Sequence, residues 1–162
     1  MNAQPATPAE PSAPAPKHYV QAGPIARRFN VLVGRMARHG ISLGGAAELS
    51  VRGRTSGQLQ RIPVNPLEHG GARYLVSARG HSQWVRNMRA AGGGELRVGR
   101  RVRTFTAVEL PDAEKADLLR VYLERWGWEV NAFFKGVTAK SSEAELLAAA
   151  PDHPVFRITL SD

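Results

Sequence analysis

The chain has 162 residues, 43% hydrophobic and 22% charged, a balance that fits one globular domain with one core. It holds no cysteine, which excludes disulfides, thiolate catalysis and cysteine-based zinc or iron–sulfur sites, so any redox chemistry must come from a bound cofactor. Lys and Arg number 22 against 14 acidic residues, giving +8, and such a surplus seeks an anion: nucleic acid, an anionic membrane or a phosphorylated cofactor.

Residues 1–17 carry Pro5, Pro8, Pro11, Pro14 and Pro16 among alanines and small polar residues, which reads as a disordered tail. Residues 18–42 hold an amphipathic helix with Ile25, Phe29, Leu32, Val33 and Met36 on one stripe and Arg27, Arg28, Arg35 and Arg38 elsewhere. That helix packs on the domain, serves a homodimer or makes a peripheral contact with an anionic membrane; the sequence leaves these open. No run approaches the roughly 18 apolar residues of a membrane span, and no basic-then-apolar leader opens the chain, so the expected location is cytoplasmic, with membrane association through the helix as the alternative.

From Glu48 the period changes to that of strands, over residues 49–52, 60–66, 73–78, 95–98, 102–110 and 155–160. Glycine-rich separators lie at Gly53 with Gly57, at Gly70-Gly71, at Gly92-Gly93-Gly94 and at Gly99. A short helix is expected over 82–91, a longer one over 113–126 capped by Asp112, and a third opened by Ser142 and Glu145 and stopped by Pro151. Strands with helices at uneven intervals argue for a mainly β, α+β domain over 43–162, a small antiparallel barrel with peripheral helices.

Two segments could carry chemistry. In Gly53-Arg54-Thr55-Ser56-Gly57 the backbone can approach a ligand closely, the hydroxyls can donate hydrogen bonds, and Arg54 with Arg61 offers guanidinium groups suited to phosphate or carboxylate. A solvated hairpin turn would use the same residue types. Pro63 removes a ladder donor, so its strand should lie at an edge or face a ligand, leaving Val64 and Asn65 to a flat ring. The second segment runs from Ser77 through Arg79-Gly80 into a helix where Trp84 and Asn87 share a face. They could cover an aromatic ring and bond its polar edge, or be a core tryptophan and a surface asparagine. The five histidines show no metal-ligand spacing, and G-x-S-x-G and G-x-G-x-x-G are absent. Arg97, Arg100, Arg101 and Arg103 form a basic run that would suit nucleic acid, but no aromatics interleave with it, so no nucleic-acid partner is expected.

Taken together, Gly53-Arg-x-Ser-Gly57 with Arg61 and Pro63, then Tyr74-Leu-Val-Ser77, Trp84-x-x-Asn87 and the closing Pro154-Val-Phe-Arg-Ile158 strand resemble the deazaflavin-dependent nitroreductase family. That family is a branch of the split β-barrel oxidoreductases related to FMN-binding proteins. The resemblance implies coenzyme F420, with FMN as the alternative, and hydride transfer to or from an activated double bond, nitro group or related acceptor on a small organic molecule. Carried over by motif, Arg54, Thr55, Ser56, Gly57 and Arg61 would hold the phosphate and acidic tail. Pro63, Val64 and Asn65 would lie along the ring, while Ser77, Arg79, Trp84 and Asn87 would close the groove. Thr55 stands where many members carry lysine. The substrate wall would be Tyr122, Trp126, Trp128, Phe133 and Phe134; no catalytic proton donor and no metal site are assigned. An anionic cofactor tail accounts for the +8 charge without nucleic acid. A non-catalytic cofactor carrier is the other reading.

Overall fold

The computed structural model describes residues 47–162. The tail expected over 1–17 and the helix expected over 18–42 lie outside the described residues.

Seven strands form one antiparallel sheet: β1 Ala47–Arg52, β2 Leu59–Val64, β3 Leu67–His69, β4 Ala72–Val76, β5 Gly93–Val98, β6 Arg101–Glu109 and β7 Val155–Leu160. The order is β2-β1-β5-β6-β7-β4-β3. The sheet curls into a half-barrel, with three α-helices among the described residues around it: α1 Gln83–Ala91, α2 Ala116–Val130 and α3 Glu143–Ala149.

Side chains on its two faces follow the two-residue period of a strand. Ala47, Leu49, Val51, Leu75, Leu96, Phe105, Phe156 and Ile158 gather on one face with Val85 and Met88 of α1. On the opposite face Leu67, Val76 and Val155 meet Leu118, Leu119, Tyr122 and Trp126 of α2, Leu146 of α3, and Phe134 from the segment between those helices. Pro63 lies on β2, which among the described residues is an edge strand paired only with β1, where its missing N–H costs no ladder bond.

The structure differs from the sequence reading at three places. It adds β3, which pairs with β4 from Leu67↔Tyr74 to His69↔Ala72. Gly70 and Gly71 both have positive φ (58° and 76°), as a two-residue hairpin turn requires. Of the glycines expected as a separator before β5, Gly92 does end α1 in a left-handed conformation, but Gly93 and Gly94 belong to the strand itself. A Cβ on Gly93 would sit 2.3 Å from the Phe105 carbonyl oxygen, and one on Gly94 would sit 2.4 Å from that of Ser50. Finally, Asp112 does not cap α2. It opens a separate 3-10 turn, Asp112–Glu114, and its carboxylate instead accepts from the buried Lys115 Nζ at 2.6 Å. The third helix starts as expected: Ser142 Oγ accepts from Glu145 N, and the Glu145 side chain accepts from Ser142 N.

Candidate functional site

The β1–β2 loop folds back on itself through Gly53 N to Gln58 O (2.7 Å) and Gly57 N to Gly53 O (2.9 Å). Arg52 Nη1 donates to the Gly57 carbonyl and Ser56 Oγ accepts from Gln58 N, so both flanks are pinned. This presents Arg54 towards α1. Its backbone N–H (3.2 Å) and Nη1 (2.8 Å) both donate to Asn87 Oδ1, and Nη1 also donates to Gln83 Oε1 (2.9 Å). Asn87 is buried and donates from Nδ2 to Gln60 Oε1 at 3.1 Å.

Every partner that fixes the Arg54 side chain is a neutral amide. The guanidinium is positioned without being neutralised, and among the described residues it meets no carboxylate. Beside it begins α1, whose N-terminal N–H groups receive no side-chain cap. The N-cap residue, Ser82, is buried, and its Oγ has no hydrogen-bond partner. A held cation, an uncapped helix start and a buried hydroxyl together suit an anion.

The other expected residues are distributed as follows. Thr55, Ser56 and Gly57 are exposed on the same loop as Arg54. Arg61 faces the opposite side of the sheet: it stands across from Ser50, with Nε 3.8 Å from the buried Glu48 carboxylate, so the structure does not bring it to Arg54. Val64 lies on the α1 side of β2 and Pro63 on the other, following the register with Ala47 and Glu48. Asn65 donates to Glu129 Oε2 at 3.2 Å, tying the end of β2 to α2. Ser77 is buried and its Oγ donates to Gly80 O at 2.6 Å, closing the turn into α1. Arg79 lies over the Phe133 ring, 4.9 Å from its centre, and Trp84 packs against Phe156 at 5.8 Å. Within the expected cofactor-binding set, Arg54 with Asn87 is thus the pair that hydrogen bonds join directly.

Of the aromatic set expected to wall the substrate, Tyr122, Trp126 and Phe134 are mutually packed and buried, with Tyr122 5.2 Å from Trp126 and 6.4 Å from Phe134. Burial, and then the negative Glu129, push the Tyr122 hydroxyl well above the usual phenol range, so it keeps its proton. Phe134 also stacks on the buried His153 at 3.9 Å. Trp128, by contrast, is 77% exposed, and Phe133 is half-buried.

Sequence reasoning missed Gln83 and Gln60. Gln83 lies one turn before Asn87, which was a signal; Gln60 reaches the network through the β1–β2 register, which local pattern does not reveal. His81 holds a structural position. Arg89 can only donate to Nδ1 (3.3 Å), so Nε2 carries the proton and donates to Pro151 O at 2.9 Å. The basic run on the β5–β6 hairpin is divided between faces. Arg97 turns towards Glu48 at 3.8 Å, while Arg101 and Arg103 stand across from Val98 and Leu96 on the α1 side. Among the described residues no group of His, Asp and Glu could hold a metal, and no helix is long and apolar enough to cross a membrane.

A comparison with curated proteins finds no match. Among solved structures, the chain is similar to one described as a domain-swapped dimer, with 19% identity and a TM-score of 0.53 over 77% of this chain and 92% of that one. It is also similar to an F420-H2 dependent reductase, FDR-A (19%, TM-score 0.48, 71% and 94%), and to a nimC/nimA family protein from Clostridium acetobutylicum (15%, 0.47, 71% and 73%). At these identities the first likeness shows the fold, a split barrel. Residues 23–132, more than half of the chain and including the whole Arg54–Asn87 network, match the family described as F420H(2)-dependent quinone reductase. The chain belongs to that family and is an F420-dependent reductase.

Proposed function

We propose that the β1–β2 loop and the start of α1 hold the phosphate and acidic tail of F420, and that the ring lies along the end of β2. The observation carrying this reading is Arg54, held by Asn87 and Gln83 with its charge unneutralised, beside an uncapped helix start and the unpartnered Ser82 hydroxyl. Thr55, Ser56 and Gly57 complete the loop face. Pro63, Val64 and Asn65 form the strip under the ring, and Ser77, Arg79 and Trp84 shape the turn that closes the groove. Arg61, on the other face of β2, acts by neutralising Glu48 rather than by touching the tail.

The reduced cofactor supplies a hydride for an electron-poor acceptor. This chain's residues bind and orient: Arg54 fixes the anionic end, and Asn65, anchored to Glu129, sets the strip where the ring lies. The acceptor we infer is a small quinone-like or otherwise activated organic molecule. Phe133 and Trp128 are the aromatics of the expected wall with accessible surface to meet it, while Tyr122, Trp126 and Phe134 support the wall from behind.

The test is a fluorescence titration of the purified chain with oxidised F420 and, separately, FMN, repeated on Arg54→Ala. Tight F420 binding that weakens by about tenfold or more in the variant supports the reading, since a charge-assisted hydrogen bond contributes about 1.5–3 kcal/mol. Unchanged affinity in Arg54→Ala removes the loop from the site.

A further inference from the structure

At the other end of the sheet the residues facing α1 change character. On β6 the inward row runs Ala107, Phe105, Arg103, Arg101; on β4 it runs Leu75, Arg73. A row that is apolar in the core therefore ends in arginine on two strands. Between them lies a hollow of about 390 Å3, floored by Leu96, Leu160 and Trp126 and rimmed by Arg73, Arg101, Arg103 and Arg125. That volume falls within the range of small-molecule sites, about 300–1,000 Å3.

The rim is only partly neutralised. Glu68 is the single carboxylate lining the hollow, and Arg73 already engages it, holding its carboxyl below the usual range. Arg103 donates to Ser161 O at 3.1 Å and lies 4.0 Å from the fully exposed Asp162. Among the described residues Arg101 and Arg125 form no ion pair; the charge of Arg125 reaches Glu68 only at longer range, and its guanidinium lies over the Trp126 ring, 4.7 Å from its centre. Two guanidinium groups thus overhang an apolar floor. A bare inorganic anion would leave that floor wetted, and a neutral apolar molecule would leave the guanidinium groups unused.

We propose that this hollow binds an amphipathic organic acid, its carboxylate on Arg101 and Arg125 and its hydrocarbon body on Leu96, Leu160 and Trp126. Neither residue of the Arg54–Asn87 pair lines it. Binding is therefore measured without cofactor, and the outcome is independent of the F420 reading.

The experiment is calorimetric titration of the full chain with decanoate, decanol and inorganic phosphate, repeated on R101Q/R125Q, R101K/R125K and R54A. Decanoate is expected to bind about tenfold or more tighter than either decanol or phosphate. R101Q/R125Q should lose that margin with an unchanged thermal midpoint, both side chains being exposed, while R101K/R125K keeps most of it and R54A keeps all of it. Equal binding of decanol, equal binding of phosphate, no decanoate binding, or loss of decanoate binding in R54A would each overturn the proposal.

Discussion

Replacing Asn87 with aspartate separates the two things this residue does. The shapes are nearly identical, so Oδ1 remains placed to accept from Arg54 N and Nη1, now at 3.2 and 2.8 Å with a charge upon it. The donor to Gln60 Oε1 is lost, at a net cost of about 0.5–1.5 kcal/mol, and burying a carboxylate is offset in part by pairing with Arg54. Stability measured in urea should therefore fall by only about 1–2 kcal/mol. The charge of Arg54, however, would be neutralised before any anion arrives. The one or two charge-assisted bonds that Arg54 can offer contribute about 1.5–3 kcal/mol each, so F420 affinity should fall by about tenfold or more. Asn87→Ala should behave differently: it removes three hydrogen bonds at a buried position and should cost about 2–4 kcal/mol of stability, while leaving the Arg54 charge free. The assay is fluorescence titration with oxidised F420 at low salt, alongside urea unfolding of each variant. A stable Asn87→Asp that binds F420 as the wild type does would refute the claim that Arg54 works because its partners are neutral.

Gly94→Ala should cost at least about 1–3 kcal/mol in urea unfolding, because its Cβ would lie 2.4 Å from the Ser50 carbonyl oxygen on the neighbouring strand. Ser142→Ala should cost about 1 kcal/mol by removing half of the capping box on α3, read the same way. Arg89 donates to both oxygens of Glu109, and this hydrogen bonding first, then the charge, holds the Glu109 carboxyl below its usual range. A depressed carboxyl contributes stability above its unfolded value, about 4.3, and loses it as pH falls through the folded value. Between pH 6 and 3 the wild type should thus lose more stability than Glu109→Gln, by no more than about 1 kcal/mol because the pair is partly exposed. Equal acid sensitivity in chemical denaturation would show that the pair contributes nothing.

The parts of the fold readable in the sequence are those whose signals are local. The Ser142–Glu145 box and the alternating rows of β6 and β7 depend on neighbours within a few residues, and both reappear in the structure. β3 gives no local signal because three residues after Pro66 carry too short a period to register, and Gly93-Gly94 read as a separator because the two carbonyls pressing on them belong to other strands. In the candidate site, Arg54 and Asn87 were legible singly through their motifs. Their meeting depends on α1 packing across the end of β1, and the separation of Arg61 from them depends on strand parity at a register set elsewhere.

The position of β7 has a consequence for how the molecule is made. Among the described residues the ladder of β2, β1, β5 and β6 and the hairpin of β4 and β3 share no pairing, and residues 155–160 alone join them, bonding β6 on one side and β4 on the other. Chains emerge from the ribosome in sequence order, so both parts are complete while the strand that joins them is still being synthesised. Until then β6 and β4 each present an open strand edge, and those two edges are where a nascent chain is most exposed to pairing with the wrong partner.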